Sequence, residues 1–133
     1  MIYLFCDGAS RGNPGPASIG VVAYRGNSET ETVFTISEVI GKETNNVAEW
    51  TALLKGLEKC KDISEKEVKV HLDSELVVRQ MQGIYKTKKP ELQKIKQVVD
   101  LLRPNFTVLE LIHIPREKNK KADKLANEAL DKK

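Results

Sequence analysis

The sequence predicts an α/β fold on a mixed five-stranded sheet, with the first three strands antiparallel, the later two parallel, and helices flanking. Three observations carry that expectation. An apolar run over 2–6 is followed, past Asp7, by a glycine- and proline-rich stretch. Two further segments of strand character come before any helical periodicity begins. From residue 47 onward, helical stripes alternate with short apolar runs at 67–72 and 106–114, giving the order β-β-β-α-β-α-α-β-α. At 133 residues the chain reads as a single domain, 1–133, with enough length for a real core.

The opening run Ile2-Tyr3-Leu4-Phe5-Cys6 reads as a buried strand that delivers Asp7 to its C-terminal end. Gly8, Gly12 and Gly15 then permit tight backbone and close approach, and Pro14 and Pro16 stiffen the exit. Residues 17–24 are small and β-branched and read as a second strand. Arg25-Gly26-Asn27-Ser28 is a turn, and 30–40 alternates Thr, Val, Phe and Ile with polar residues as a third strand, ended by Gly41. Thr44 or Asn45 can cap a helix over 47–59, whose inward face is Ala52, Leu53, Gly56, Leu57 and Cys60. Glu49 precedes Ala52 by three residues and Gly56 by seven, so it points with the apolar face. A fourth strand over 67–72 ends at Asp73-Ser74, repeating the arrangement at Asp7, and a short helix runs to Gln82. A basic loop over 83–90 leads to a helix over 91–102 with the stripe Leu92, Ile95, Val98, Val99 and Leu102. Pro104-Asn105 breaks that helix, and 106–114 is the fifth strand, stopped by Pro115. The final helix, over 119–131, carries Ala122, Leu125, Ala126, Ala129 and Leu130 inward and Asp123 on the flank of that stripe.

Composition narrows the function classes. No apolar run approaches membrane-spanning length, the N-terminus lacks a signal-peptide pattern, and two cysteines, Cys6 and Cys60, make no disulfide framework. The expectation is a cytoplasmic protein without membrane association, and nothing demands more than a monomer. The formal charge of +3 is unevenly spread: residues 1–50 carry −3 and residues 51–133 carry +6, with lysines clustered over 86–96 and 118–124. A basic half beside a carboxylate site suits a polyanion laid across the surface.

Asp7, Glu49, Asp73 and Asp123 would meet at one sheet edge. Four acids in one place repel and cannot all ionise without help. A divalent cation with oxygen ligands is the natural remedy, and Mg²⁺ in an incomplete carboxylate cage keeps positions open for water and phosphate. His71 and His113 are isolated and the cysteines distant, so no zinc pattern exists. Gly12-Asn13-Pro14-Gly15 lacks the Lys-Ser/Thr of a phosphate-cradling loop, and no Ser-His-Asp pairing is apparent.

The motifs Asp7-Gly8-Ala9-Ser10-Arg11-Gly12-Asn13-Pro14-Gly15-Pro16, Thr44-Asn45-Asn46-Val47-Ala48-Glu49, Asp73-Ser74 and Asn119-Lys120-Lys121-Ala122-Asp123-Lys124-Leu125-Ala126 resemble, in order, those of type 1 ribonuclease H. The resemblance covers essentially the whole chain. It implies a ribonuclease H-like sheet and endonucleolytic cleavage of the RNA strand of RNA–DNA hybrids with Mg²⁺, or Mn²⁺ as substitute. Two ions would be expected with substrate, and products would carry 5′-phosphate and 3′-hydroxyl ends. It makes Asp7, Glu49, Asp73 and Asp123 the catalytic metal ligands, Asp123 holding the ion that positions the attacking water. It places Ser10, Asn13 and Asn45, with the backbone at Gly8, in the minor groove, where the 2′-hydroxyl distinguishes RNA from DNA. Thr44 falls where the family grips a DNA phosphate. The sequence departs from the family in three places. Glu75 stands where Gln is common, and a carboxylate cannot donate to a base edge. The basic handle is absent, leaving Lys86, Lys88 and Lys89 in a short loop. His113, spaced like the family's loop histidine, reads as a strand residue, so Arg116 and Lys118 are the loop candidates. The competing classes are a nucleic-acid binder with weak or no catalysis and a broader nuclease that also cuts double-stranded RNA. The related 3′-exonuclease chemistry begins Asp-x-Glu, and Ala9 occupies that Glu position.

Overall fold

The structure is a computed structural model that describes residues 1–27 and 29–132. Five strands, β1 (Ile2–Ser10), β2 (Gly15–Arg25), β3 (Thr32–Glu43), β4 (Glu67–Leu72) and β5 (Val108–His113), form one sheet in the order β3-β2-β1-β4-β5. β1, β2 and β3 pair antiparallel, and β4 and β5 are added in parallel to β1 and β4. The helices are α1 (Asn45–Asp62), α2 (Glu75–Met81), α3 (Pro90–Leu102) and α4 (Lys120–Asp131), with 3₁₀ turns at Arg103–Asn105 and Arg116–Lys118. This is the mixed sheet expected from the sequence, with the boundaries moved in several places. Among the described residues no helix is long and apolar enough to cross a membrane.

The most consequential shift is in β1. The strand does not end at Asp7 but continues to Ser10, because β2 keeps pairing with it as far as Ser10↔Ala17. On the other side its pairing with β4 stops at Cys6↔Leu72. Asp7 therefore sits where β1 loses one neighbour and keeps the other. β3 likewise does not end at Gly41. Ala17 pairs with Gly41 and Ser18 with Val39, so Ile40 is left out of the ladder as a bulge beside Gly41, whose φ of 93° suits glycine. In the expected turn 25–28, Gly26 has a φ of 77°; Ser28 lies outside the described residues.

Pleat alternation separates the two faces. Ile2, Leu4 and Cys6 of β1 and Ile19 and Val21 of β2 face α1, and with Trp50, Leu53 and Leu57 they form a fully buried core. Each such side chain stabilises by about 2 kcal/mol through burial. Trp50 donates from Nε1 to Gln80 Oε1 at 3.0 Å, so the indole N–H is satisfied inside the core. α4 covers the opposite face. Two glycines set how closely the helices approach. A Cβ on Gly8 would lie 2.3 Å from the Ala48 carbonyl carbon of α1, and one on Gly20 would lie 2.0 Å from the Ala122 oxygen of α4. Along α3, Leu92, Val99 and Leu102 are buried, but Val98 is 41% exposed and faces solvent rather than joining the stripe. His71 is buried in a stack on Phe5, centroids 4.2 Å apart, with Nδ1 3.1 Å from the Leu4 carbonyl oxygen.

Candidate active site

Asp7 is delivered by β1, Glu49 by the first turns of α1, Asp73 by the residue after β4, and Asp123 by the first turn of α4. Thr44 starts α1 as its N-cap, its hydroxyl accepting from the Val47 N–H at 3.2 Å, which fixes where Glu49 falls. Ser74 does the same for α2, accepting from Val77 N–H at 3.3 Å. The four acids line one cleft of about 270 Å³, together with Gly8, Ser10, Asn45 and Arg116.

One oxygen each of Asp7, Glu49 and Asp73 lie within 4.8 Å of one another. Asp7 is 5% exposed and Glu49 3%. Glu49 Oε1 accepts from the Gly8 N–H at 2.9 Å, while Oε2 is buried without a hydrogen-bond partner. Burial pushes the Asp7 carboxyl well above the carboxylate range, and Glu49, Asp73 and Asp123 push it further. Glu49 is also raised by burial, against the opposing hydrogen bonds from Asp7 and the Gly8 N–H. Asp123 is more open, and Arg116 Nη2 approaches its Oδ1 at 3.8 Å from an 81% exposed side chain. A set of three oxygen donors, one with an orphaned oxygen and two, on Asp7 and Glu49, raised above the carboxylate range, fits a hard divalent cation.

The other sequence candidates divide. The Ser10 hydroxyl donates within the chain, to the Gly12 carbonyl or to the Glu43 carbonyl at 2.7 Å. Asn13 Oδ1 accepts from the Asn45 N–H at 3.0 Å, tying the loop after β1 to the start of α1. Thr44 serves as the cap described above. Glu75 is exposed in the first turn of α2 and does not line the cleft. Lys118 lines a separate cavity of about 530 Å³ beside α4. His113 is the last residue of β5, a strand residue as the sequence suggested.

Two asparagines and an arginine were not read from the sequence as site residues. Asn119, expected to open the last helix, is 1% exposed and donates to the Cys6 carbonyl at 2.9 Å and to Asp73 Oδ2 at 3.3 Å. Asn127 donates to Asp123 Oδ1 at 3.3 Å, and Arg11 reaches Asn127 Oδ1 at 3.4 Å and Asp131 at 2.6 Å. The i,i+4 spacing of Asp123 and Asn127 was a legible signal; the cross-strand reach of Asn119 had none.

A family model described as reverse transcriptase-like matches residues 5–129. A ribonuclease HI of Halobacterium salinarum is 39% identical over 130 residues, 98% of this chain, and this chain spans 64% of that protein. The crystal structure of the RNase H1 from that archaeon superposes with a TM-score of 0.94, covering 99% of this chain and 98% of the solved one. LC11-RNase H1, solved in complex with an RNA/DNA hybrid, is 44% identical with a TM-score of 0.91, covering 99% and 98% of the two chains. A bifunctional protein of Mycobacterium tuberculosis is 39% identical over 98% of this chain, which spans 35% of that longer protein. With its carboxylate cleft, its sheet order and these likenesses along nearly all its length, the chain belongs to the reverse transcriptase-like family and, within it, to type 1 ribonuclease H.

Proposed function

We propose that the chain is a metal-dependent endonuclease that hydrolyses the RNA strand of RNA–DNA hybrids, leaving 5′-phosphate and 3′-hydroxyl ends. The observation that carries the reading is the trio of carboxylate oxygens within 4.8 Å, with buried Glu49 Oε2 unpartnered, in a cleft that also holds Asp123. Asp7, Glu49 and Asp73, with Asp123 on the open side of the same cleft, would hold Mg²⁺, or Mn²⁺ in its place. When bound, such ions lower the pKa of water and stabilise the departing oxygen of a phosphodiester.

This chain's own residues supply placement. Asp123, the acid at the open side of the cleft, accepts a hydrogen bond from the attacking water and orients it toward phosphorus. The water oxygen bonds to phosphorus as the water gives up a proton to solvent, which in turn supplies the leaving oxygen, and the bond to the 3′-oxygen breaks. Phosphate stays on the 5′ end of one fragment, and the other leaves as a 3′-hydroxyl once its oxygen takes a proton. Arg116, beside Asp123, balances charge where the product phosphate must depart; Lys118 lies further along the same loop. Strand choice falls to the loop after β1. Ser10 has one proton and gives it to a backbone carbonyl, so its oxygen remains an acceptor for a ribose 2′-hydroxyl. Asn13 uses Oδ1 on the Asn45 N–H, leaving its Nδ2 to donate into the groove. Gly8 contributes backbone at the cleft floor, and Thr44 and Asn45 stand at the start of α1, the side on which a DNA phosphate would be gripped. The lysines of 83–90 and Lys94 extend the contact along the duplex, and Glu75 marks a base contact weakened relative to an amide. Cys6 and Cys60 are free and buried, in keeping with a reducing compartment such as the cytoplasm.

The test is an end-labelled RNA–DNA hybrid incubated with Mg²⁺, Mn²⁺ or EDTA, beside double-stranded RNA and double-stranded DNA. Internal cuts confined to the RNA strand, abolished by EDTA and by Asp7→Asn, are expected. Well-folded protein that binds hybrid but never cuts it would replace this reading with a binding module. Equal cleavage of double-stranded RNA would make it the broader nuclease.

A further inference from the structure

Asn119 stands at the N-terminus of α4, where an Asn ordinarily turns back to cap its own helix. It makes no such bond. Its Nδ2 crosses instead to the Cys6 carbonyl at 2.9 Å and to Asp73 Oδ2 at 3.3 Å, while its backbone carbonyl accepts from the Asp123 N–H at 3.1 Å. One residue thus touches β1 immediately before Asp7, the carboxylate of Asp73, and the turn that carries Asp123. The amide orientation is fixed by these partners. Reversed, Oδ1 would face a carbonyl and a carboxylate with no proton between them. The cost of the arrangement is visible too, since Oδ1 is buried without a partner. An apolar side chain of similar size would remove that orphan, but it would take this donor away from the Cys6 carbonyl and from Asp73 Oδ2.

We propose that Asn119 is a positioning residue, which holds the Asp73 carboxylate against β1 at the point where β1 and β4 stop pairing and so sets the spacing of Asp7 and Asp73 for a divalent cation. This rests on the metal-dependent reading above. The physical need is plain. Asp73 is only partly buried, and its neighbours Asp7 and Glu49 repel it toward solvent. A neutral donor can hold it inward without neutralising it, leaving one oxygen for the cation. An arginine or lysine at 119 would compete with that cation.

The experiment is calorimetric titration of Mn²⁺ into the substrate-free full chain, wild type against Asn119→Leu, which keeps volume and removes the donor. A loss of about tenfold in Mn²⁺ affinity is expected, the scale seen when an outer partner of a metal ligand is removed. Hybrid binding in EDTA should stay within about twofold, because phosphate contacts and not these acids supply it. The Mg²⁺ concentration for half-maximal cleavage should rise by the same factor, with cleavage recovering at high Mg²⁺. A purely structural role would lower the melting temperature and leave Mn²⁺ affinity, measured well below melting, within twofold; that result would overturn the proposal. A second measurement needs no variant: the Asn119 side-chain amide resonances of the wild type should shift as Mg²⁺ saturates, and resonances that stay fixed would also sink it. Wild-type protein that takes up no Mn²⁺ would instead remove the metal reading, and this inference with it.

Discussion

Asp7→Asn is expected to end cleavage and, in EDTA, to make the protein more stable. The oxygens of Asp7, Glu49 and Asp73 lie within 4.8 Å. Two unit charges at that distance repel by about 3.5 kcal/mol at an effective dielectric near 20. Asp7 faces two such partners and is itself buried; burial first, and its acidic neighbours second, make it keep its proton and raise its pKa. Keeping the proton still costs free energy at a pH where the unfolded chain would have lost it. The sign follows from proton counting: a carboxyl whose folded pKa exceeds its unfolded value binds more protons when native. Stability is then greatest below the unfolded value, about 4, and falls as pH rises toward the raised folded one. Asparagine has the same shape and no proton to lose. If about 2 kcal/mol of the strain survives relaxation at pH 8, melting in EDTA should rise by roughly 6–10 °C for a chain of this size. Near pH 4 the advantage should shrink to about a degree or two. With saturating Mg²⁺ the order should narrow or invert, because the wild type alone keeps the full ligand set and gains stability by mass action. Scanning calorimetry from pH 4 to 9, with EDTA or Mg²⁺, reads all three effects. A variant that melts at or below the wild type in EDTA at pH 8, or a gap independent of pH, would refute the reasoning.

Gly20→Ala would place a methyl 2.0 Å from the Ala122 oxygen and 2.5 Å from the Ala126 nitrogen, both backbone atoms, so it should cost about 3 kcal/mol in urea unfolding. It should also depress cleavage more than the stability loss explains, because Asp123 rides on the helix that must move. Gln80→Leu strips the partner from Trp50 Nε1 and releases the Lys86 carbonyl that Gln80 Nε2 holds at 3.3 Å. A loss of about 1–3 kcal/mol is expected, with faster hydrogen exchange across 83–90 and weaker hybrid binding. Arg116→Ala changes an 81% exposed side chain, so stability should move by no more than about 0.5 kcal/mol. Steady-state turnover should nonetheless fall about tenfold, equivalent to about 1.4 kcal/mol of lost charge interaction.

How much of this was legible in the sequence depends on how local each feature is. The inward aim of Glu49 follows from helical period against Ala52 and Gly56, and the structure buries it to 3% exposure. The strand character of 2–6 and 67–72 follows from apolar runs that end at acids. The extension of β1 to Ser10 could not be read locally, since Asp-Gly looks like a turn and only the pairing with β2 keeps it extended. Gly41 misled for the same reason: a glycine after an alternating run signals a strand end, but here the neighbouring strand continues across a bulge. Val98 fits the α3 stripe by spacing, yet the structure leaves it 41% exposed on the edge of that stripe. Asn119 was the hardest, because an asparagine before a helix has a sufficient local explanation as a cap, and only the tertiary structure shows the side chain spent elsewhere.

The precision of the cleft comes from backbone meeting backbone. Asp7 pairs across the ladder with Gly20, and its neighbour Gly8 is the other position lacking a side chain at the sheet centre. At Gly8, α1 comes close enough for Glu49 to take the Gly8 N–H at 2.9 Å. At Gly20, α4 comes close enough that its Ala122 carbonyl would touch any Cβ, and Asp123 is the next residue. The two helices that carry Glu49 and Asp123 are therefore referenced, from opposite faces, to the strand position that carries Asp7. Side chains in a core can repack over several tenths of an ångström, but a helix seated on a glycine has no rotamer through which to drift. Asp73 alone lacks such a seat, since it follows the end of β4 and is held by a side-chain amide. That difference predicts where the metal-free site is soft: nuclear relaxation in EDTA should show slow exchange at Asp73 and Asn119 while Gly8 and Gly20 stay rigid. Rigid signals at all four would show that the amide tether holds Asp73 as firmly as the glycine contacts hold the helices.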